Sequence, residues 1–469
     1  MNTPDIRDFQ GQRVHMIGIG GASMSGLAEM LRQEGYVVTG TDRAESDALE
    51  ALRSQGIDAR AGHHPEGIAG AAMVVYSAAI HEDDPERREA SRLNIPQMER
   101  AVLLGQLMRG YGETVCVCGT HGKTTLSAMI AKMLTDCGRN PTVHIGGRLD
   151  AIGGGTRIGA RDVFVAEACE FNRSFLHMPP TLAVLTNIEE DHLDCYGDMA
   201  HLEQAFSAFL DLLPENGIAI GLADDERVMR VFNSLPRPTI AFGMGPDADW
   251  TMRDLAWDAA GCAQLTACFH GQEMTRVALS VAGKYNALHA LAALAAAHRL
   301  GVDMAGAARS LAGFTGVHRR FEHTGVVKGM LMYTDYGHNP AEMAAALSMA
   351  RQQGRRLIAV MQPHTFSRVK SQFDAYLTCT KEADITLVTD IYAAREQDPG
   401  DIHSGMLVDG MRRHGIDAHL TGTFDQAEQW LLDNGREGDL VLTMSCGDIH
   451  LLNQQMQRHW DARQPATTS

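Results

Sequence analysis

The residues best equipped for chemistry stand in one short stretch, Gly119-Thr-His-Gly-Lys-Thr-Thr125. A β-rich run, Thr114–Cys118, leads into it, and a helical pattern begins at once. Glycines let backbone N–H groups approach phosphate oxygens, and a helix N-terminus adds partial positive charge. Lys123 can neutralise the β- and γ-phosphates of a nucleoside triphosphate, and the Thr124 hydroxyl can ligate Mg²⁺. The spacing is two residues shorter than GxxxxGK[ST], so this is a variant phosphate loop.

A second glycine loop, Gly18-Ile-Gly-Gly-Ala-Ser-Met-Ser-Gly26, also follows a strand and opens a helix. It approaches the dinucleotide pattern G-x-G-x-x-G, with Ser23 at the third glycine. Asp42 lies near the end of the next strand, where a ribose-binding acid would sit. Alone, this loop would suit a nicotinamide-dependent dehydrogenase. Two phosphate-cradling loops in one chain fit two different phosphorylated ligands better.

Acids and histidines follow other strands. Glu167 and Glu170 come after Val163–Ala166, and Thr186-Asn-Ile-Glu-Glu-Asp-His192 after Leu182–Thr186. In parallel α/β sheets ligands bind beyond the carboxyl ends of strands, so these groups should converge near the phosphate loop. Glu167 and His192 are candidates for Mg²⁺, for which oxygen donors are the more usual partners. Cys169 would share a face with Glu167 if the chain stayed extended. Glu167, Cys169 and His192 could then trap Zn²⁺. In the last third, His318-Arg-Arg-Phe-Glu322, Asp335-Tyr-Gly-His-Asn-Pro340 and Gln362-Pro-His-Thr-Phe-Ser-Arg368 put polar groups next to strands. Arg368 and Lys370 could bind carboxylate or phosphate.

These groups need strands to place them. Short apolar runs alternate with helical stretches at Val14–Ile19, Val37–Gly40, Met73–Ser77, Met330–Tyr333, Leu357–Met361, Ile385–Thr389 and Leu440–Met444. That rhythm predicts parallel sheets covered by helices. The expected fold is α/β in three domains with boundaries near Gly110 and His323. Asp247–Val281 reads instead as short alternating strands, followed by an Ala-rich helix over Asn286–Leu300. A length of 469 residues suits three domains. Lys+Arg is 41 against Asp+Glu 58, a net charge of −17, which argues against a general nucleic-acid binder. Nine cysteines without a C-x-x-C pair argue against a disulfide framework or zinc ribbon. Neither a secretory h-region nor an apolar run of membrane-spanning length is seen, so the expectation is a cytoplasmic protein without membrane insertion.

Taken together, the motifs resemble the ATP-dependent Mur ligases of bacterial cell-wall synthesis. Gly18–Leu31, Gly119–Thr125, Glu167–Leu176, Asn187–Asp194, Gly283–Ala293, His318–Glu322, Asp335–Pro340 and Gln362–Arg368 occur in that family's order. The resemblance implies an N-terminal Rossmann-like UDP-sugar domain (1–110), a central P-loop ATPase-like domain (111–322) and a C-terminal Rossmann-like amino-acid domain (323–469). It implies ligation of L-alanine to the carboxylate of UDP-N-acetylmuramate through an acyl phosphate, with ATP and Mg²⁺. The rivals are a relative adding a tripeptide to the same sugar, and a nucleotide-binding relative without ligase activity.

Residue by residue, it implies that Gly20, Gly21, Ser25, Asp42, His63 and Ser77 surround the UDP-sugar. Gly119, Thr120, His121, Gly122, Lys123, Thr124 and Thr125 would hold ATP, with Asn286, Arg319 and Asp335 around the nucleoside. Thr124, Glu167 and His192 would hold metal. Tyr336, His338 and Arg368 would surround the amino acid, and Lys123, His338 and Arg368 would carry the catalysis. The chain departs from the family pattern at Cys169, Asn172, Tyr285, Asn339 and Ser445-Cys-Gly-Asp448.

Overall fold

The computed structural model describes residues 4–190, 193–258, 261–394 and 396–463. They form two compact units. One comprises Met1–Trp257 with Cys262–Thr315, and the other Gly316–Ser469 with Asp258–Gly261.

The first unit carries two sheets. In chain order the strands of its first sheet are β1 (Arg13–Ile17), β2 (Val37–Asp42), β3 (Asp58–Ala61), β4 (Met73–Tyr76) and β5 (Gln97–Glu99). They lie in the order β3-β2-β1-β4-β5 and all pairs are parallel. β1 was expected to run on to Ile19 but stops at Ile17. Gly18 takes a left-handed φ of +79°, which starts the turn into the helix Ala22–Gln33.

The second sheet has β6 (Glu113–Cys118), β7 (Thr142–Leu149), β8 (Gly154–Arg157), β9 (Val163–Glu167), β10 (Leu182–Leu185), β11 (Ile218–Leu222), β12 (Thr239–Phe242), β13 (Trp250–Trp257), β14 (Cys262–Phe269) and β15 (Gln272–Ala282). Its order is β15-β14-β13-β12-β11-β10-β6-β9-β7-β8. The core strands β6, β9 and β10 are parallel, and the expected alternating strands become the antiparallel β13–β15 extension. The Ala-rich helix is Lys284–Arg299, and every residue from Ala287 to Ala297 is buried. Its small side chains permit close packing against the sheet and against the helix Lys123–Asp136.

The second unit holds β16 (Glu322–Val327), β17 (Met330–Asp335), β18 (Leu357–Met361), β19 (Ile385–Thr389), β20 (Ala418–Gly422) and β21 (Leu440–Met444). The order is β16-β17-β21-β18-β19-β20, so the last strand inserts between β17 and β18. β18, β19 and β21 are wholly buried and, apart from Thr386, Thr389 and Thr443, apolar, as suits parallel strands covered on both faces.

Close packing sets the sharpest demand at Gly105, in the helix Arg100–Met108. A Cβ there would lie 1.8 Å from the His177 carbonyl oxygen. Gly105→Ala should therefore destabilise. Helix propensity would return up to about 1 kcal/mol, but forcing backbone apart costs about 1–3 kcal/mol. Thermal unfolding should show a lower midpoint, and an unchanged or higher midpoint would contradict this packing.

Candidate active site

The phosphate loop joins the end of β6 to the helix Lys123–Asp136. Gly119 and Gly122 both have positive φ, +123° and +81°. A Cβ on Gly119 would lie 2.1 Å from Thr186 Oγ1, and one on Gly122 2.2 Å from His289 Nε2. Only glycine fits either place. The loop is pinned to the end of β10: Thr120 N–H donates to the Asn187 carbonyl, His121 N–H to Asn187 Oδ1, and Thr186 Oγ1 to the His121 carbonyl. The helix starts on Gly122, which offers its first turn no side-chain cap. That N-terminus is therefore suited to an anion. Thr125 is half-buried in the same turn. Burial lowers His289 to about 4, so a neutral ring backs the loop.

Lys123 bends back over the loop. Its Nζ donates to the carbonyls of Gly119 at 2.6 Å and Thr120 at 2.9 Å, and lies 2.9 Å from Glu170 Oε2. The Glu170 side chain is 1% exposed and that of Lys123 11%. Burial opposes the ammonium charge, but Glu170 and Glu167 outweigh it and raise the Lys123 pKa. Beside it, Thr124 Oγ1 donates to both Glu167 oxygens, at 3.0 and 2.9 Å. Gly146 N–H also donates to Glu167, at 2.8 Å. Thr124 and Glu167 thus present hard oxygen donors side by side, which fits Mg²⁺. His192 and Asp191 lie outside the described residues. Glu189 is exposed, and its pKa is lowered first by a hydrogen bond from His121.

The Zn²⁺ expectation for Glu167, Cys169 and His192 includes His192, which lies outside the described residues. β9 ends at Glu167, so the extended geometry that would align the two side chains does not continue. Burial first, then Glu170, pushes the Cys169 thiol up to about 11, which keeps it protonated. Among the described residues no group of three His, Cys, Asp or Glu side chains is placed to hold a metal ion.

The N-terminal loop is built differently from expectation. Gly18 and Ile19 N–H groups donate to the Thr41 carbonyl. Gly20 N–H donates to Asp42 Oδ2 at 2.9 Å, so Asp42 braces the loop. Close packing falls to Gly26, whose Cβ would meet Thr156 Oγ1 at 2.0 Å. Ser23, in the expected glycine position, bonds His144 Nε2 at 2.6 Å and accepts from Arg100 at 2.9 Å. Burial and then the Arg100 charge lower His144 to about 3. Ser77 lies against Gly18, and Gly62 N–H donates to the Asp42 carbonyl, which brings neighbouring His63 to the same strand ends. His63 is half exposed and 3.5 Å from Asp84. Gly21 is exposed at the helix start, and Ser25 bonds back to the Ala22 carbonyl.

Asn286 opens the helix Lys284–Arg299 and donates to the Ala282 carbonyl at 2.7 Å. In the second unit, Asp335 is buried and accepts the N–H groups of Phe321 and Gly337. Burial raises its pKa despite the nearby Arg320. Arg319 is spent on the carbonyls of Ser445 and Gly447. Its guanidinium and that of Arg320 lie over the Tyr336 ring, at 4.9 and 5.1 Å. His338 pairs with Glu342 at 3.1 Å. Burial alone would lower the His338 pKa, but hydrogen bonds to Cys446 and Glu342 raise it to about 10. Arg368 contacts His364 Nδ1 at 3.1 Å. Lys370 instead pairs with Asp401 at the surface. Sequence reasoning missed the bond between Glu170 and Lys123 and the grouping of His364 and Cys446 with His338. Their positions just past strand ends were the available signal.

Fold and site together define a class: an α/β protein built on parallel sheets to hold a phosphorylated nucleotide at a variant phosphate loop. Residues 13–112 match the family described as Mur ligase family, catalytic domain, residues 117–297 the Mur ligase middle domain, and residues 319–447 the Mur ligase, glutamate ligase domain. Among curated relatives, the UDP-N-acetylmuramate–L-alanine ligase of Acetivibrio thermocellus is 42% identical over 94% of this chain and 95% of its own. That of Caldanaerobacter subterraneus subsp. tengcongensis is 41% identical over 96% and 98%. The crystal structure of UDP-N-acetylmuramate–alanine ligase from Thermotoga maritima superposes with a TM-score of 0.80 at 25% identity, covering 97% of this chain and 100% of that one. The chain belongs to the Mur ligase family.

The buried pair makes a stability prediction. Glu170→Ala leaves the Lys123 ammonium without its paired carboxylate and should cost about 3–5 kcal/mol. Adding Lys123→Met should recover part of that loss. Denaturant unfolding of the single and double variants checks it. A double variant less stable than Glu170→Ala would contradict the pairing.

Proposed function

We propose that this enzyme joins L-alanine to the carboxylate of UDP-N-acetylmuramate at the expense of ATP, in cytoplasmic peptidoglycan synthesis. The observation that carries the reading is the phosphate loop, with Lys123 on Glu170 and Thr124 on Glu167. It sits in a chain that matches L-alanine ligases along nearly its whole length. The proposed domains are 1–110 for the UDP-sugar, 111–322 for ATP and 323–469 for the amino acid.

A carboxylate oxygen of the muramate attacks the γ-phosphorus and ADP leaves. The alanine amine then attacks the acyl carbon, and phosphate departs with that oxygen. Such phosphoryl transfer asks the protein mainly for position and charge. Lys123 neutralises charge that develops on the transferred group, and the helix N-terminus orients the phosphates. Thr124 and Glu167, with His192, would hold Mg²⁺, which when bound neutralises phosphate charge. Gly20, Gly21, Ser25, Asp42, His63 and Ser77 serve the sugar nucleotide. Gly119 to Thr125, Asn286, Arg319 and Asp335 serve ATP. Tyr336, His338 and Arg368 serve the amino acid. Held as a cation, His338 suits the alanine carboxylate better than it suits the role of base for the amine.

The direct test is ADP release with UDP-N-acetylmuramate, ATP and Mg²⁺, with and without each amino acid. Release should depend on L-alanine. Dependence on a tripeptide, with L-alanine inert, would instead mark the peptide-adding relative.

Two variants separate the loops. Lys123→Ala should lower turnover by about 10³-fold, as expected for one preorganised electrostatic contact, while sugar-nucleotide binding survives. Near-normal turnover would contradict the loop's role. At Gly21 a Cβ meets protein no closer than 3.4 Å. Gly21→Val should therefore fold normally, yet raise the KM for the sugar nucleotide about tenfold or more, with ATP KM little changed. An unchanged sugar-nucleotide KM would move that ligand elsewhere.

A further inference from the structure

One carboxylate packed against the first sheet has no part in the proposed chemistry. Glu86, in the helix Pro85–Arg92, is 0% exposed. Its two oxygens are shared between two loops. Oε2 accepts the Thr41 hydroxyl at 2.6 Å and His15 Nε2 at 3.3 Å, and Oε1 accepts the His64 N–H at 2.6 Å. His15 is tied in turn to Thr39 Oγ1 at 2.9 Å. Thr41 and His15 are both buried. The Thr41 carbonyl accepts the N–H groups of Gly18 and Ile19, so Oε2 reaches the turn of the glycine loop through a single residue. On the other side, His64 directly follows His63. Asp84, two residues before Glu86, caps the helix: its Oδ1 accepts Glu86 N–H at 2.9 Å and Arg87 N–H at 3.3 Å. The other oxygen, Oδ2, lies 3.5 Å from His63 Nδ1.

A buried carboxylate is a costly way to fill this space. Taking the charge out of water is unfavourable, and a well-packed apolar side chain of similar size would serve stability as well or better. Burial alone would raise the Glu86 pKa, but hydrogen bonds from His15, His64 and Thr41 outweigh it and lower it. The charge is kept, and what it supplies is geometry. The glycine loop follows β1 and the His63 loop follows β3, and β2, which carries Thr41, lies between those strands. An apolar residue could fill the volume but could not tie the His64 backbone to β2. We propose that Glu86 is a positioning residue for the sugar nucleotide, locking the glycine loop and the His63 loop to one another at the carboxyl ends of β1, β2 and β3. Fully enclosed, it acts through Thr41 and His64 rather than by touching the nucleotide. His63 is thereby held twice, its backbone side by Glu86 and its ring by Asp84. This role rests on the ligase reading.

The test uses the full chain and has two readouts, calorimetric binding of UDP-N-acetylmuramate and turnover by ADP release. Glu86→Ala should raise both Kd and KM for UDP-N-acetylmuramate about tenfold, the low end of the loss when hydrogen bonds supporting a ligand-binding group are removed. Its kcat and its KM values for ATP and L-alanine should change little. Glu86→Gln keeps an acceptor for the His64 N–H and lets the Thr41 hydroxyl turn to meet its amide, so it should recover most of the affinity. Met73→Ala is the control for lost stability alone. Met73 is buried at the start of β4, opposite Val14 of β1 and away from the carboxyl ends of the strands. That variant should lower the thermal midpoint with the sugar-nucleotide KM unchanged. Should Glu86→Ala not fold, Thr41→Val decides, since it cuts one bond to Oε2 and leaves Glu86 in place. Its Kd for UDP-N-acetylmuramate should rise while its KM for ATP stays. An unchanged sugar-nucleotide Kd in folded Glu86→Ala or in Thr41→Val, or an equal rise in Met73→Ala, would overturn the proposal. Unsubstituted protein that binds no UDP-N-acetylmuramate would instead overturn the ligase reading, and this role with it.

Discussion

A buried ammonium is the constraint around which the first unit is arranged. Lys123 cannot sit on the loop without anions and carbonyls to receive it, and Gly119, Thr120 and Glu170 supply them. Holding those carbonyls inward requires left-handed backbone at Gly119 and Gly122. That in turn brings Thr186, Asn187 and His289 so close that no side chain fits at the glycines. On the proposed reading, a phosphate at the helix N-terminus would give Lys123 a second anionic partner beside Glu170.

The same logic reconciles a chain of net charge −17 with the anionic ligands proposed for it. Cations are few at these sites and each is tied down: Lys123 by Glu170, Arg319 by two carbonyls, Arg368 by His364. Backbone N–H groups at the starts of the helices Ala22–Gln33 and Lys123–Asp136 add positive potential without formal charge. Both helices start at the carboxyl end of a parallel strand, where the fold offers its crevices.

Much of this was legible in the sequence, and the exceptions have physical causes. β18, β19 and β21 matched their expected limits because a strand buried on both faces reads as an uncharged run of apolar and β-branched residues. β3, with the sequence Asp-Ala-Arg-Ala, buries only one residue fully and carries no such run. β7 and β8 contain glycines and only β7 carries a short apolar run, so neither reads as a strand pattern. The phosphate loop was legible because its chemistry is local. Asp42 was legible as a residue near phosphate but not as a brace, since the Gly20 N–H it accepts comes from a neighbouring strand's loop. Cys446 was visible only as a departure from a pattern. Nothing in its neighbourhood says that β21 inserts between β17 and β18, and that insertion is what brings its loop to the strand ends followed by His338 and His364.

The proposed activation of the sugar's carboxylate by phosphoryl transfer at the phosphate loop leaves a mark on the products. Isotope transfer tests it most directly. UDP-N-acetylmuramate labelled with ¹⁸O in its carboxylate is turned over with ATP and L-alanine, and the released phosphate is examined by mass spectrometry. Carboxylate oxygen should appear in the phosphate, one atom per turnover. Product formation with unlabelled phosphate would contradict it.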